Sequence, residues 1–240
     1  MSAQAFLEVH GVTKRFGGFH ALNGVSLRIR QGERFGLIGP NGSGKTTLIN
    51  CISGTLRTDG GRILFEGHDI TSLPAHRRTR LGIARSFQIP KPFTSMTVVE
   101  NLMIPIEYAR QGHHDGVVDE AMRILELMGL ATKAHDSSAS LTQIEMRKLE
   151  LARAMAARPK LLISDEAMAG LSSNEVDDIL TILFELNQRG ITIIMIEHIM
   201  RAVMRFSERI AVLDAGEKIA EAGPEEILAD KRVEKAYLGE

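Results

Sequence analysis

The stretch GPNGSGKTT, from Gly39 to Thr47, limits this chain's possible folds more than any other. It spells G-x-x-x-x-G-K-[ST] directly after the apolar run RFGLI and before TTLINCISG, whose spacing is helical. Strand, loop and helix therefore stand in the order that a phosphate-binding loop requires. Glycines let successive backbone N–H groups close on a β-phosphate at the positive end of a helix. Lys45 supplies charge to the β/γ oxygens, and Thr46 offers a hydroxyl to Mg²⁺. Gly39, Pro40, Asn41, Gly42, Ser43, Gly44, Lys45, Thr46 and Thr47 are the candidate nucleotide-binding residues.

Such a site needs acids at the end of a second strand, and LLISDE supplies Asp165 and Glu166. The apolar runs KLLISDE and ITIIMIEH flank the helical segment SNEVDDILTILFELNQRG, a βαβ pattern that predicts a parallel sheet. Ligands of open α/β sheets bind at the C-terminal edge of such strands. Asp165 would hold Mg²⁺, and Glu166 would orient or deprotonate the attacking water, because phosphoryl transfer rests on positioning and charge neutralisation. Gln88, in IARSFQIP, and His198, at the end of the following apolar strand, are both placed to reach a γ-phosphate. Gln88 is also a candidate metal ligand.

The rest of the chain sets the frame. Its 240 residues are enough to bury a full core. Short β-like runs (FLEVHGV, GVSLRIR, GRILFEG) occupy the first third, and helical spacing runs from about Thr97 to Ala157, as an insertion into one α/β domain. A formal net charge of −1 gives no global field to recruit nucleic acid. A single cysteine, Cys51, allows no internal disulfide, and MSAQAFLEVHGVTKRF lacks the apolar core of a signal peptide, which together favour the cytosol. No apolar run is long enough to span a bilayer, so a membrane role would come through a partner.

The order phosphate loop, Gln88, LTQIEMRKLELARAM, LLISDE and His198 resembles the ATP-binding cassette (ABC) ATPases over nearly the whole chain. The resemblance implies one ATP-binding domain over 1–240. Its fold would be an α/β P-loop ABC ATPase core with an antiparallel β subdomain and an inserted α-helical subdomain at about residues 90–157. Gly39 to Thr47 resembles the family's Walker A loop, Asp165 and Glu166 its Walker B pair, Gln88 its Q-loop glutamine and His198 its switch histidine. Phe16, in TKRFGGFHAL, stands where the family places an aromatic on the adenine face, with plain core packing as the other reading. RSFQIPKPFTSMTVVENL and the C-terminal KAYLGE look like the ATP-binding subunits of branched-chain (hydrophobic) amino acid importers.

Such a subunit binds ATP and Mg²⁺, dimerises with itself or a related cassette, and lies on the inner face of the membrane. It drives transmembrane permeases that are served by a periplasmic binding protein. QIPKPFTSM would form the groove that receives a permease helix, with Phe93 as an apolar anchor. Cassettes for urea, another small solute or lipopolysaccharide are alternatives, as is a non-transport ABC ATPase acting on ribosomes or DNA.

The family's signature L-S-G-G-Q is degenerate here: Leu141, Thr142, Gln143, Ile144 and Glu145 lack both glycines. Thr142 and Glu145 still spell a capping box, so this helix start either faces a partner's γ-phosphate or only begins a helix. Gln143 and Ile144 add side chains where a backbone would approach, and Glu145 adds a negative charge. Ala167 replaces the family's proline after the glutamate, and Ser172 stands where its D-loop aspartate lies.

Overall fold

The computed structural model describes residues 5–86, 92–110 and 115–238. Within them the chain runs β1 (Leu7–Phe16), β2 (Phe19–Ile29), β3 (Arg34–Ile38), α1 (Lys45–Ser53), β4 (Gly60–Phe65), β5 (His68–Asp69), α2 (Ala75–Leu81) and β6 (Ile83–Ser86). Three α-helices follow: α3 (Val98–Arg110), α4 (Val117–Leu127) and α5 (Gln143–Met155). The chain then returns through β7 (Leu161–Asp165), α6 (Ser173–Gln188), β8 (Thr192–Ile196), α7 (Met200–Phe206), β9 (Arg209–Asp214), β10 (Glu217–Ala222), α8 (Pro224–Ala229) and α9 (Lys231–Leu238).

Two sheets result. The antiparallel one has the order β2-β1-β4-β5, and the larger one the order β10-β9-β3-β8-β7-β6. β3 pairs in parallel with β8 and β9, and β7 with β6 and β8, as the βαβ pattern predicts; β10 joins antiparallel at the edge. β1 and β2 are longer than the runs visible in the sequence, because register shifts at Val9/Val12 and beyond keep them paired past their polar interruptions.

The alternation of side chains on a strand explains the layering. On β7, Leu162 enters one core while Leu161 and Ile163 enter the other; on β8, Ile193 and Ile194 divide in the same way. One core lies between the two sheets and takes in α1, with Phe35, Leu37, Leu48 and Ile52 fully buried. The other lies beneath α5, α6 and α7 and extends into the inserted helices through Leu102, Ala121 and Leu125. Both faces of β7 and β8 are covered, so these strands read as unbroken apolar runs. Gly36 lets α7 approach β3, since a Cβ there would lie 2.7 Å from the Ser207 hydroxyl. The sequence-based fold class therefore holds: an α/β core, an antiparallel sheet and helices inserted between β6 and β7.

Cys51 is buried, and burial pushes its thiol up to about 11, which fits a small apolar core residue.

Candidate active site

β3, β6, β7 and β8 run parallel, so the loops that leave their C-terminal ends share one edge. The loop after β3 is Gly39 to Gly44. A Cβ on Gly39 would lie 2.1 Å from the Leu213 carbonyl oxygen, and one on Gly44 2.6 Å from that of Ala21. Only glycine allows the loop to sit this close to β9 and β2. Gly44 also takes the left-handed conformation at the start of α1, which has no side-chain cap, so its first amides are open to an anion.

Lys45 is buried, and its ammonium donates to the carbonyls of Gly39 (2.7 Å) and Pro40 (2.9 Å) at the mouth of the loop. Burial lowers its pKa, while the negative charges of Glu166 and Asp165 work in the opposite direction.

Asp165 ends β7, and Glu166 follows with φ of 50°, in the left-handed region that a non-glycine residue adopts at a cost. Its backbone N–H donates to Ile196 on β8 (2.9 Å), which holds the turn in place. The Glu166 carboxylate meets the His198 imidazole at 3.0 Å. The two sequence-selected strand ends therefore converge on one another.

A cavity of about 260 Å³ gathers Phe16, Asn41 to Thr47, Glu166 and His198. Phe16 is half exposed on its wall, so it is not a core residue. Gln88 lies outside the described residues.

The signature stretch is a helix start, as the capping box predicts. Thr142 accepts from Glu145 N–H (3.4 Å), and the Glu145 carboxylate accepts from Thr142 N–H (2.9 Å). The charge that Glu145 introduces is paired with Lys133 at 2.7 Å, and that hydrogen bond, with the Thr142 amide, holds its carboxyl down to about 2. Gln143 turns back on its own chain, donating to the Ala169 carbonyl (3.4 Å), which Arg147 also meets (3.1 Å). Ile144 packs partly buried against the helical core, alongside Leu141. Ser172 caps α6 through Glu175, and Ala167 is buried.

Three residues escaped the sequence reading although each stands within three positions of a selected residue or inside a quoted stretch. Arg85, three residues before Gln88, places its guanidinium on Asp165. Glu197, next to His198, accepts Met168 N–H at 2.9 Å behind the Walker B turn. Burial pushes Glu197 up to about 7, and the charge of Glu166 adds to the effect, against the amides of Met168 and His198. Tyr237, within KAYLGE, lies against the Gly39 backbone, whose amide offsets part of the upward shift that burial gives the phenol. A neighbouring charged or aromatic residue was the only signal available for any of them.

The family model described as ABC transporter matches residues 22–169. BraF of Pseudomonas aeruginosa, a high-affinity branched-chain amino acid transport ATP-binding protein, is 37% identical over 99% of both chains. The ADP conformation of MJ1267, an ATP-binding cassette of an ABC transporter, superposes with a TM-score of 0.90 at 36% identity, covering 99% of this chain and 100% of that one. A dimeric post-hydrolysis state of the cassette MJ0796, bound to ADP and Pi, matches with a TM-score of 0.82 at 26% identity over 91% and 98% of the two chains. With the phosphate loop, the acidic strand end and the histidine gathered on one edge of this sheet, the chain belongs to the ABC transporter family as one of its ATP-binding cassettes.

Proposed function

We propose that this chain is the ATP-hydrolysing subunit of an importer for branched-chain or other hydrophobic amino acids. The observation that carries the reading is full-length similarity to a branched-chain amino acid transport ATP-binding protein, together with one cavity lined by the phosphate loop, Glu166 and His198. Loop amides and Lys45 bind the phosphates, Phe16 faces the adenine, Glu166 takes the proton of the attacking water, and His198 holds Glu166 and the γ-phosphate in register.

Mg²⁺ would neutralise charge on the β/γ oxygens as the terminal phosphate leaves. Thr46 and Asp165 offer it hard oxygens, and among the described residues no group of three or more His, Cys, Asp or Glu could hold a metal alone. That donor set fits Mg²⁺, which keeps water and substrate phosphates as its remaining ligands. Gln88 is a further proposed ligand and γ-phosphate sensor.

We further infer one domain over 1–240, with a helical subdomain at about 90–157. Two cassettes would sandwich two ATP molecules, each borrowing the Leu141 to Glu145 helix start of its partner. Among the described residues no helix is long and apolar enough to cross a membrane. Placement at the inner membrane face would follow from permease subunits, with a periplasmic binding protein delivering solute. A groove of about 250 Å³ between α2, β6 and the inserted helices, lined by Ala84, Pro105, Tyr108 and Arg153, suits a permease helix. Phe93, 42% exposed with the Arg153 guanidinium 5.2 Å from its ring centre, stands near as an anchor.

Glu166→Gln tests the chemistry. ATP binding is retained, hydrolysis falls by about 10²–10⁴-fold, and Mg-ATP shifts the protein towards a dimer in light scattering. Hydrolysis at the unmodified rate would overturn the assignment. Leucine uptake by the reconstituted transporter tests the cargo, and uptake of urea instead would replace it.

A further inference from the structure

Arg85 sits on β6 and touches two elements of the phosphate site at once. Its Nη2 and Nε atoms donate to Oδ2 of Asp165 on β7, at 2.5 and 3.2 Å, and Nη1 donates to Oδ1 of Asn50 on α1 at 2.6 Å. Arg85 and Asp165 are 11% and 7% exposed, so the pair is screened little by water. The planar fork of an arginine is suited to this double contact, which a lysine would not reproduce.

We propose that Arg85 is a built-in counter-ion of Asp165 that keeps a divalent cation from binding until nucleotide arrives, and that it must shift when the metal is loaded. The inference rests on the reading of Asp165 as the metal-holding carboxylate. A guanidinium and a divalent ion compete for one carboxylate, because two cations a few ångström apart repel each other strongly in a site of low dielectric. Without nucleotide, Arg85 neutralises Asp165, and the remaining donor from the phosphate loop is a neutral hydroxyl. With nucleotide bound, the negative phosphates change the balance. The metal is attracted, Arg85 gives up part of its hold on Asp165, and its Asn50 contact keeps the freed guanidinium on α1.

Metal loading is thereby coupled to β6, whose last residue, Ser86, lies two positions before Gln88. Arg85 is a positioning residue. It acts through Asp165.

The test is Mn²⁺ binding followed by electron paramagnetic resonance, with unmodified protein plus ADP as the reference. Unmodified protein should take up Mn²⁺ with ADP and almost none without it. Arg85→Met, which keeps length and loses charge, should raise the affinity of nucleotide-free protein for Mn²⁺ by about tenfold or more. Arg85→Lys should fall between the two.

A second measurement needs no substitution. The ¹⁵N resonance of the Arg85 Nε–H group in unmodified protein should shift when Mg²⁺ is added to the ADP complex, and not when ADP is added with chelator. Nucleotide-free Arg85→Met binding Mn²⁺ no more tightly than unmodified protein would overturn the proposal, as would an Nε–H resonance indifferent to Mg²⁺. Failure of unmodified protein to bind Mn²⁺ even with ADP would instead overturn the metal-site reading beneath it.

Discussion

Two helix starts in this protein are candidates to face phosphate, and they are built in opposite ways. α1 begins at Gly44 with no side-chain cap and no acidic residue in its first turn. α5 begins at Thr142 with a complete capping box and a carboxylate in its first turn. At α1 no side chain caps the first amides and the Lys45 ammonium is held at the mouth of the same loop, so an anion is the natural ligand. At α5 the chain satisfies itself. Thr142 takes one amide, Glu145 takes the cap's own N–H, Lys133 balances Glu145, and Gln143 reaches back to Ala169. The first helix start is organised around a ligand, while the second is stable without one and would meet a partner's phosphate as an already ordered surface.

The strongest way to sharpen this contrast is to remove the cation from the first start. Lys45→Ala should weaken ATP binding by about 2–5 kcal/mol, measured by titration calorimetry, with little loss of thermal stability. A binding constant within a factor of three of the unmodified one would mean that the loop amides suffice.

Next in size is a pH effect behind the same site. The folded-state pKa of Glu197, about 7, lies above its ordinary 4.5, so the folded protein holds a proton that the unfolded chain releases between those values. Its contribution is complete below about pH 4.5 and is lost as the pH rises through 7. The loss amounts to on the order of 3 kcal/mol. Glu197→Gln, whose amide oxygen can still accept from Met168, should therefore be the more stable protein at pH 8 and nearly equal at pH 5. Denaturant unfolding at both pH values checks it, and parallel curves would remove Glu197 as the source.

The smallest effects belong to the second start. Thr142→Ala should cost about 1 kcal/mol of stability and reduce ATPase activity of the complete transporter. Gln143→Ala, which breaks only the long contact to Ala169, should cost about 0.5 kcal/mol or less. Full activity in Thr142→Ala, with the fold intact, would mean that the stretch is only a helix.

The same contrast separates what could be read from the sequence from what could not. Gly39 to Thr47, LLISDE and the capping box were legible because each is a local pattern: neighbouring residues carry both the geometry and the chemistry. Parallel pairing of β7 and β8 was legible too, since strands buried on both faces have no polar alternation. The Arg85–Asp165 pair and the Glu197–Met168 bond join residues 80 and 29 positions apart, and no spacing in the chain announces them.

The sequence by itself determined that a phosphate loop would form and that an acidic strand end would accompany it, because glycine conformations, caps and apolar periodicity act over a few residues. Tertiary structure alone decided that the Lys45 ammonium would be buried near two carboxylates, and that Arg85 would share Asp165. It also decided that Gln143 would be spent on the protein's own backbone. These depend on strand order and on which loops meet at one sheet edge, and burial in that low-dielectric setting gives each charge its effect.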